Sequence, residues 1–461
     1  APVNDNHHVR QTAAMKSWQV ARVASARDPA DGYRVLGARL DSLGGDPVFL
    51  VSAEGGGIRA AAWTALVLSR LEAQSGGRFG HHVVAASGVS GGSLGIATWA
   101  AMLDLEREGR LHASDFVCEP RAAATPSDRC PARAFLTRDY LRPMLANLLI
   151  VDQAQRWIPY AFLPDRGSEL ELAWERGWRA TAAKPLDADN AFRRPWRALG
   201  GGSDRPWLLF NATIVASGQR FIEQPFDFDA GVFDHFFAGA TDGARRLGPE
   251  TPLSAAVHNS ARFTYASPAG TLDPPVDHAE LGTIQLVDGG YFENSGTATL
   301  AGVDRLLVDD TTMTPPGLGI DPKRVFVIHI SNDPAVPPLL ADRSDRCGTE
   351  AAQRDPHSGE LAAPAIALLG TREGRGESSR RALARAVGVN FFHIRLCEGE
   401  HHLPLGWTLS SAAWLEMDRQ LGNHAEDSAS EPQIASNADQ LARISAMLSS
   451  SSGVRGSMRR D

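Results

Sequence analysis

No CxxC pair occurs among the four cysteines, Cys118, Cys130, Cys347 and Cys397, which argues against a structural zinc site. Lysine is nearly absent: Lys16, Lys184 and Lys323 are the only ones, so arginine supplies almost all of the basic charge. Lys+Arg at 46 falls short of Asp+Glu at 54, and a net charge of −8 leaves no broad basic face for nucleic acid. A mean hydropathy of −0.21 is too polar for a multi-span membrane protein. One uncharged stretch, Val83 to Leu103, is long enough to cross a bilayer. It is broken by Gly88, Gly91, Gly92, Gly95 and several serines, however, and reads instead as a strand, a tight turn and a buried helix.

What is present is an ordinary globular composition, 43% hydrophobic and 22% charged over 461 residues, with ample material for a core. The length admits roughly two to four domains, or one large domain with insertions. The chain begins at Ala1 rather than Met, which is read as a removed or omitted N-terminal segment with room for a signal or membrane anchor. The compartment is left open, with membrane association expected, and so is the oligomeric state. Cys118 and Cys130 flank a Pro/Ala/Arg-rich loop that a disulfide would close in an oxidising compartment; four separate thiols is the alternative.

Along the chain, Pro47 to Ala53 is an apolar run ending in glycines, which suits a buried strand. Ile58 to Leu71 carries Trp63, Leu66, Val67 and Leu71 at helical spacing, and Gly76-Gly77 ends it. His82 to Ser87 reads as a second strand and Leu94 to Leu105 as a second helix. This β-α-β-α order predicts an α/β fold with a central, mostly parallel sheet flanked by helices. Further strands are expected at Trp207–Thr213, Thr283–Val287, Arg324–Ile330 and Asn390–Arg395, with a helix from Ser295 to Leu307. Residues 112–135 read as a loop, and residues 331–380 as polar and irregular. The expected division is a polar arm over 1–35 and a catalytic domain over 36–310 with insertions near 110–205. A C-terminal part over 311–422 is expected to pack on it, followed by a largely disordered tail over 423–461 with one short helix carrying Ile434, Leu441, Ile444 and Leu448.

The sharpest motif is Gly88-Val-Ser90-Gly-Gly92, a G-x-S-x-G with a strand before it and a helix after it. Small neighbours let the chain turn sharply there, so that the serine hydroxyl stands out at a helix N-terminus that favours negative charge. A glycine-rich turn with an incidental serine is the plain alternative. A nucleophilic serine needs donors for the oxyanion formed on attack. Glu54-Gly55-Gly56-Gly57-Ile-Arg59 lies one βα unit upstream, where three glycines let backbone N–H groups approach a ligand closely. It lacks the GK[ST] ending of a phosphate loop and fits no dinucleotide fingerprint. Arg59 either anchors this loop or is a solvated helix-start residue. Leu286-Val-Asp288-Gly289-Gly290 places a carboxylate at the end of an apolar strand, although such strand-end acids are also common plain turns.

These three blocks, in this order, resemble the bacterial patatin-like phospholipases. The resemblance runs from about Pro47 to about Leu307 and is supported by Phe210-Asn-Ala-Thr213, Gly218-Gln-Arg220, Ser260-Ala-Arg-Phe263 and Ser267-Pro-Ala-Gly270. It implies a patatin-like α/β sandwich and a lipid acyl hydrolase of phospholipase A type. It also implies Ser90 as nucleophile, Asp288 as base and Gly55, Gly56 and Gly57 as the oxyanion loop, with Arg59, Gly88, Gly92, Gly289 and Gly290 in support. No metal or organic cofactor enters this chemistry, and the implied partners are a membrane lipid or fatty-acyl ester and the membrane surface. Glu54 stands where Asp is usual and Ala60 where Gly is usual, both beside the oxyanion loop.

Other readings are a Ser…Asp…His triad using His393, His401 or His402, and thioesterase or acyltransferase activity on the same site. A non-enzymatic membrane scaffold is a further one. The aromatic stretch Trp157-Ile-Pro-Tyr-Ala-Phe162-Leu-Pro164, flanked by Arg156 and Arg166, reads either as an interfacial loop for lipid contact or as an irregular core loop. Of the two, core packing is the commoner fate of apolar clusters.

Overall fold

The computed structural model describes residues 7–12, 28, 30–117, 130–157, 163–181, 190–263, 266–334, 359, 363–397, 403, 405–422 and 432–450. Its centre is a nine-stranded sheet: β1 Val48–Ala53, β2 Val83–Val89, β3 Trp207–Ile214, β4 Arg220–Glu223, β5 Ala240–Asp242, β6 Gly270–Leu272, β7 Ile284–Asp288, β8 Val325–Ser331 and β9 Phe391–Arg395. The main path runs β5-β4-β3-β2-β1-β8-β9. Within it β3, β2, β1, β8 and β9 are all mutually parallel, as the β-α-β-α reading predicts. The central strands are near-continuous apolar runs because helices cover both faces. In β1, Phe49, Val51 and Ala53 face one core, while Val48 and Leu50 face the other.

The helices Gly57–Gln74 and Gly91–Arg107 cross closely on the first face. The contact depends on Gly91, where a Cβ would lie 1.9 Å from Gly57 O. The helix Thr297–Val308 covers the opposite face. Strands β4, β5 and β6 and the helix Asp31–Leu43 are additions to the sequence reading. So is the 25-residue helix Ala363–Val387, in a region read as irregular. Gly370, Gly374 and Gly376 together with weak apolar periodicity hid it from pattern reading. The C-terminal helix is not short: it spans Pro432–Ser450 over 19 residues and buries Leu441, Ile444 and Leu448 in the core.

The N-terminal arm is tied down where it is described. Val9 N–H donates to Thr271 O at 2.8 Å, and Arg10 Nε donates to Glu171 Oε2 at 2.8 Å. Cys130 and Cys397 are both disulfide-bonded, whereas Cys118 and Cys347 lie outside the described residues. No helix among the described residues is long and apolar enough to cross a membrane, and Val83–Leu103 is strand, turn and buried helix.

Candidate active site

The register of β3 brings the two motifs together. Strand β2 runs parallel to β3 and pairs Val89 with Asn211. Strand β7 runs antiparallel to β3 and pairs Asp288 with the next residue, Ala212. Because β4 occupies the other edge over Phe210–Thr213, β2 and β7 must share one edge and meet there end to end. Ser90 follows Val89 directly, so the hydroxyl and the carboxyl face each other across that junction.

Ser90 has φ 51° and ψ −122°, and it alone among the described non-glycine residues has a positive φ. Such a backbone is strained for a residue with a side chain, and the surrounding structure holds it. Ser90 N–H donates to Ser260 Oγ (3.0 Å), and Ser260 Oγ donates in turn to Asn211 O (2.6 Å). Close packing fixes the same turn. A Cβ on Gly88 would sit 2.7 Å from Ser93 Cα, one on Gly92 2.5 Å from Ala53 O, and one on Gly289 2.0 Å from Asn211 O.

The Asp288 carboxyl is 1% exposed and accepts from Gly290 N–H through Oδ1 at 2.7 Å. Oδ2 is buried and forms no aligned hydrogen bond, yet the Ser90 hydroxyl lies close enough to favour the charged form. Catalytic hydrogen bonds are commonly loose before substrate is bound. Burial outweighs these contacts and the nearby Arg372, and pushes the carboxyl from 3.8 up to about 6. A base must be deprotonated to act. Activity dependent on Asp288 is therefore expected to rise with pH, half-maximal near about 6 and flat above, when kcat/KM on a soluble ester is followed from pH 4.5 to 8. An ordinary histidine titrates at about 6.5, so this limb cannot be told by position from that of an imidazole, and substitutions must identify the group.

The glycine loop is clamped from outside. The Gly55 carbonyl accepts from Asn294 Nδ2 (3.1 Å) and Asn332 Nδ2 (2.8 Å). In a trans peptide N–H and C=O point in opposite directions, so Gly56 N–H is turned away from these amides. Gly55 N–H is already engaged by Asn294 O at 3.0 Å, which narrows the expected set of three donors to two. Gly56 and Gly57 line the cavity, and neither N–H has a hydrogen-bond partner among the described residues. Arg59 is buried, not solvated: Nε donates to Asn332 Oδ1 (3.2 Å) and Nη1 to Leu403 O (2.8 Å). Glu54 Oε1 accepts from Arg380 Nη1 (3.2 Å) and meets His329 Nε2 (3.1 Å). Asn294, Asn332 and Ser260 are the site residues whose roles sequence reasoning missed. A single asparagine in a loop carries no pattern, and only long-range hydrogen bonds reveal these.

Ser90, Asp288, Asn294 and the glycine loop border a cavity of about 260 Å³ whose walls include Leu94, Trp174, Phe263 and Trp407. The N-termini of the helices Gly57–Gln74 and Gly91–Arg107 converge on it, and both favour negative charge there. A hydroxyl, a buried carboxyl, free backbone donors and a largely apolar chamber are groups that acyl transfer can use. No histidine lines this cavity among the described residues. His393 Nε2 is bonded to Ser331 Oγ (2.8 Å) on β8, and His401 and His402 lie outside the described residues. The aromatic stretch is not core where it can be seen: Trp157 is 89% exposed and Leu163 43%, while residues 158–162 lie outside the described residues.

No protein-family model matches the sequence, and no curated protein matches it. Among solved structures, human GIVD cytosolic phospholipase A2 aligns over 66% of this chain and 50% of its own, at 12% identity and a TM-score of 0.31. The chain thus spans about half the length of that protein. VipD from Legionella pneumophila aligns over 87% of this chain and 67% of its own, at 10% identity and a TM-score of 0.30.

Proposed function

We propose that the protein is a serine lipid acyl hydrolase of the patatin-like type, cleaving acyl esters of membrane lipids. One observation carries the reading: a serine held at positive φ at a strand–helix turn, beside a buried carboxyl, at the floor of an apolar cavity. In this reading Ser90 Oγ attacks the ester carbonyl as its proton passes to Asp288. The oxyanion is held by Gly56 and Gly57 N–H. Collapse expels the alkoxide, which takes the proton from Asp288 and leaves an acyl-Ser90. Water then attacks with Asp288 as base, and the fatty acid is released. Incubation of bilayers with the protein and with Ser90→Ala tests this. Fatty-acid release by the first alone is expected; equal lipid profiles would refute it.

A long acyl ester sits in a bilayer, so the cavity mouth has to meet that surface. With a net charge of −8, attraction to anionic headgroups is unfavourable, and apolar insertion is the available route. Exposed Leu405 and Phe263 lie at the cavity, and exposed Leu149, Ile150 and Trp157 provide further insertion points. Trp157→Ala combined with Ile150→Ala is expected to weaken sedimentation with phosphatidylcholine vesicles by roughly tenfold or more. Turnover of a short soluble ester and the Tm should stay unchanged. A Tm drop of many degrees would mean that these side chains pack inside.

A further inference from the structure

Besides Asp288, three charged residues border the cavity: Arg59, Asp333 and Arg372. Arg59 is used by Asn332 and Leu403, and Asp333 has an interaction of its own. Arg372 differs. Its guanidinium has no hydrogen-bond or ion-pair partner among the described residues, and its Nε is buried. Leaving a buried donor unpaired is unfavourable, and more so for a charged group. Three other arginines of the helix Ala363–Val387 are provided for, while the fourth, Arg385, is exposed and away from the cavity lining. Arg380 and Arg381 pair with Glu377, Arg380 also reaches Glu54, and Arg375 lies 5.2 Å from the centre of the Phe292 ring. Among the described residues Arg372 is thus an unmatched cation placed at the cavity wall, close enough to Asp288 to act on its charge.

We propose that Arg372 is a specificity-determining residue that binds an anionic oxygen group carried by the ester substrate a few atoms from the scissile carbonyl. This rests on the hydrolase reading and narrows it, from any acyl ester to esters bearing an anion near the cleaved bond. A guanidinium presents a planar fork suited to the paired oxygens of a phosphodiester or a carboxylate. The cavity supplies the other half of the selectivity, since its apolar walls take the chain while Arg372 takes the head.

Arg372 also touches the chemistry through Asp288, because its positive charge favours the ionised carboxyl. That effect is common to all substrates, whereas anion binding is not. The test therefore compares three substrates with identical acyl chains in non-ionic micelles: phosphatidylcholine, a diacylglycerol hemisuccinate and the uncharged diacylglycerol. Arg372→Gln is expected to lower kcat/KM for phosphatidylcholine about tenfold or more beyond any loss on diacylglycerol, with Arg372→Lys recovering part of it. A matching loss on the hemisuccinate means that any nearby anion is read; a loss confined to phosphatidylcholine means that the phosphodiester is. Equal losses on all three, or none, overturn the proposal. Binding gives an arm independent of turnover. In Ser90→Ala, a monomeric short-chain phosphatidylcholine should bind about tenfold more weakly once Arg372→Gln is added, and a neutral short-chain diacylglycerol equally well. Unchanged phosphatidylcholine binding overturns the proposal. Binding that depends on Arg372 without hydrolysis by the native protein would uphold it and refute the hydrolase reading alone.

Discussion

Ser90→Ala and Asp288→Asn are each expected to reduce ester hydrolysis by at least about three orders of magnitude while the fold survives. The first removes the atom that forms the acyl bond. The second removes the carboxylate beside that hydroxyl. The double variant should be hardly worse than either single one, because nucleophile and base act as one unit. Near-native turnover in Asp288→Asn, measured on a soluble nitrophenyl ester, would remove Asp288 from the mechanism. The same substitution should also make the protein more stable. Burial raises the folded-state pKa from 3.8 to about 6, so the folded state favours the neutral carboxyl. The stability this contributes is fully present below the unfolded pKa and is lost as pH rises through about 6. A shift of about two units corresponds to about 3 kcal/mol of cost for holding the charge at neutral pH. Asparagine carries no charge at any pH. The Tm of Asp288→Asn should accordingly exceed that of the native protein at pH 8, and the gap should close towards pH 4. A gap independent of pH would show that the carboxyl is not strained by burial.

Gly56→Ala is expected to lower kcat by about a hundredfold to a thousandfold with little change in KM, the effect of losing an oxyanion donor. Gly56 has φ 153°, and a Cβ there would lie 2.2 Å from Asn332 Oδ1. Asn332 would have to leave, and with it one of the two amides that hold the Gly55 carbonyl. The peptide would then be free to turn, and Gly56 N–H would no longer be aimed. KM is spared because the donor matters most once charge has developed on the oxygen. Gly45→Ala is the control, since nothing lies within 4 Å of a Cβ at that position. If kcat of Gly56→Ala stays within about threefold of native, the oxyanion is held elsewhere.

Features that depend on neighbouring residues are legible in the chain alone. The run from Pro47 to Ala53 had to be a strand buried on both faces, and the small residues around Ser90 permitted the sharp strand–helix turn. The α/β class followed from their order. Other features were decided only by tertiary structure, because they depend on residues far apart in the chain. That Ser90 meets Asp288 rests on β3 pairing Val89 with Asn211 and Asp288 with Ala212, a register no local pattern encodes. The aim of the glycine loop rests on Asn294 and Asn332, each more than two hundred residues downstream. The raised pKa of Asp288 comes from desolvation, which exists only once the core has closed over it. The exposure of Trp157 and the buried, unpaired Nε of Arg372 among the described residues are likewise properties of what packs nearby, and hydrophobicity or charge in the chain cannot state them. Local backbone preference sets the elements, while long-range hydrogen bonding and burial turn three short motifs into one site.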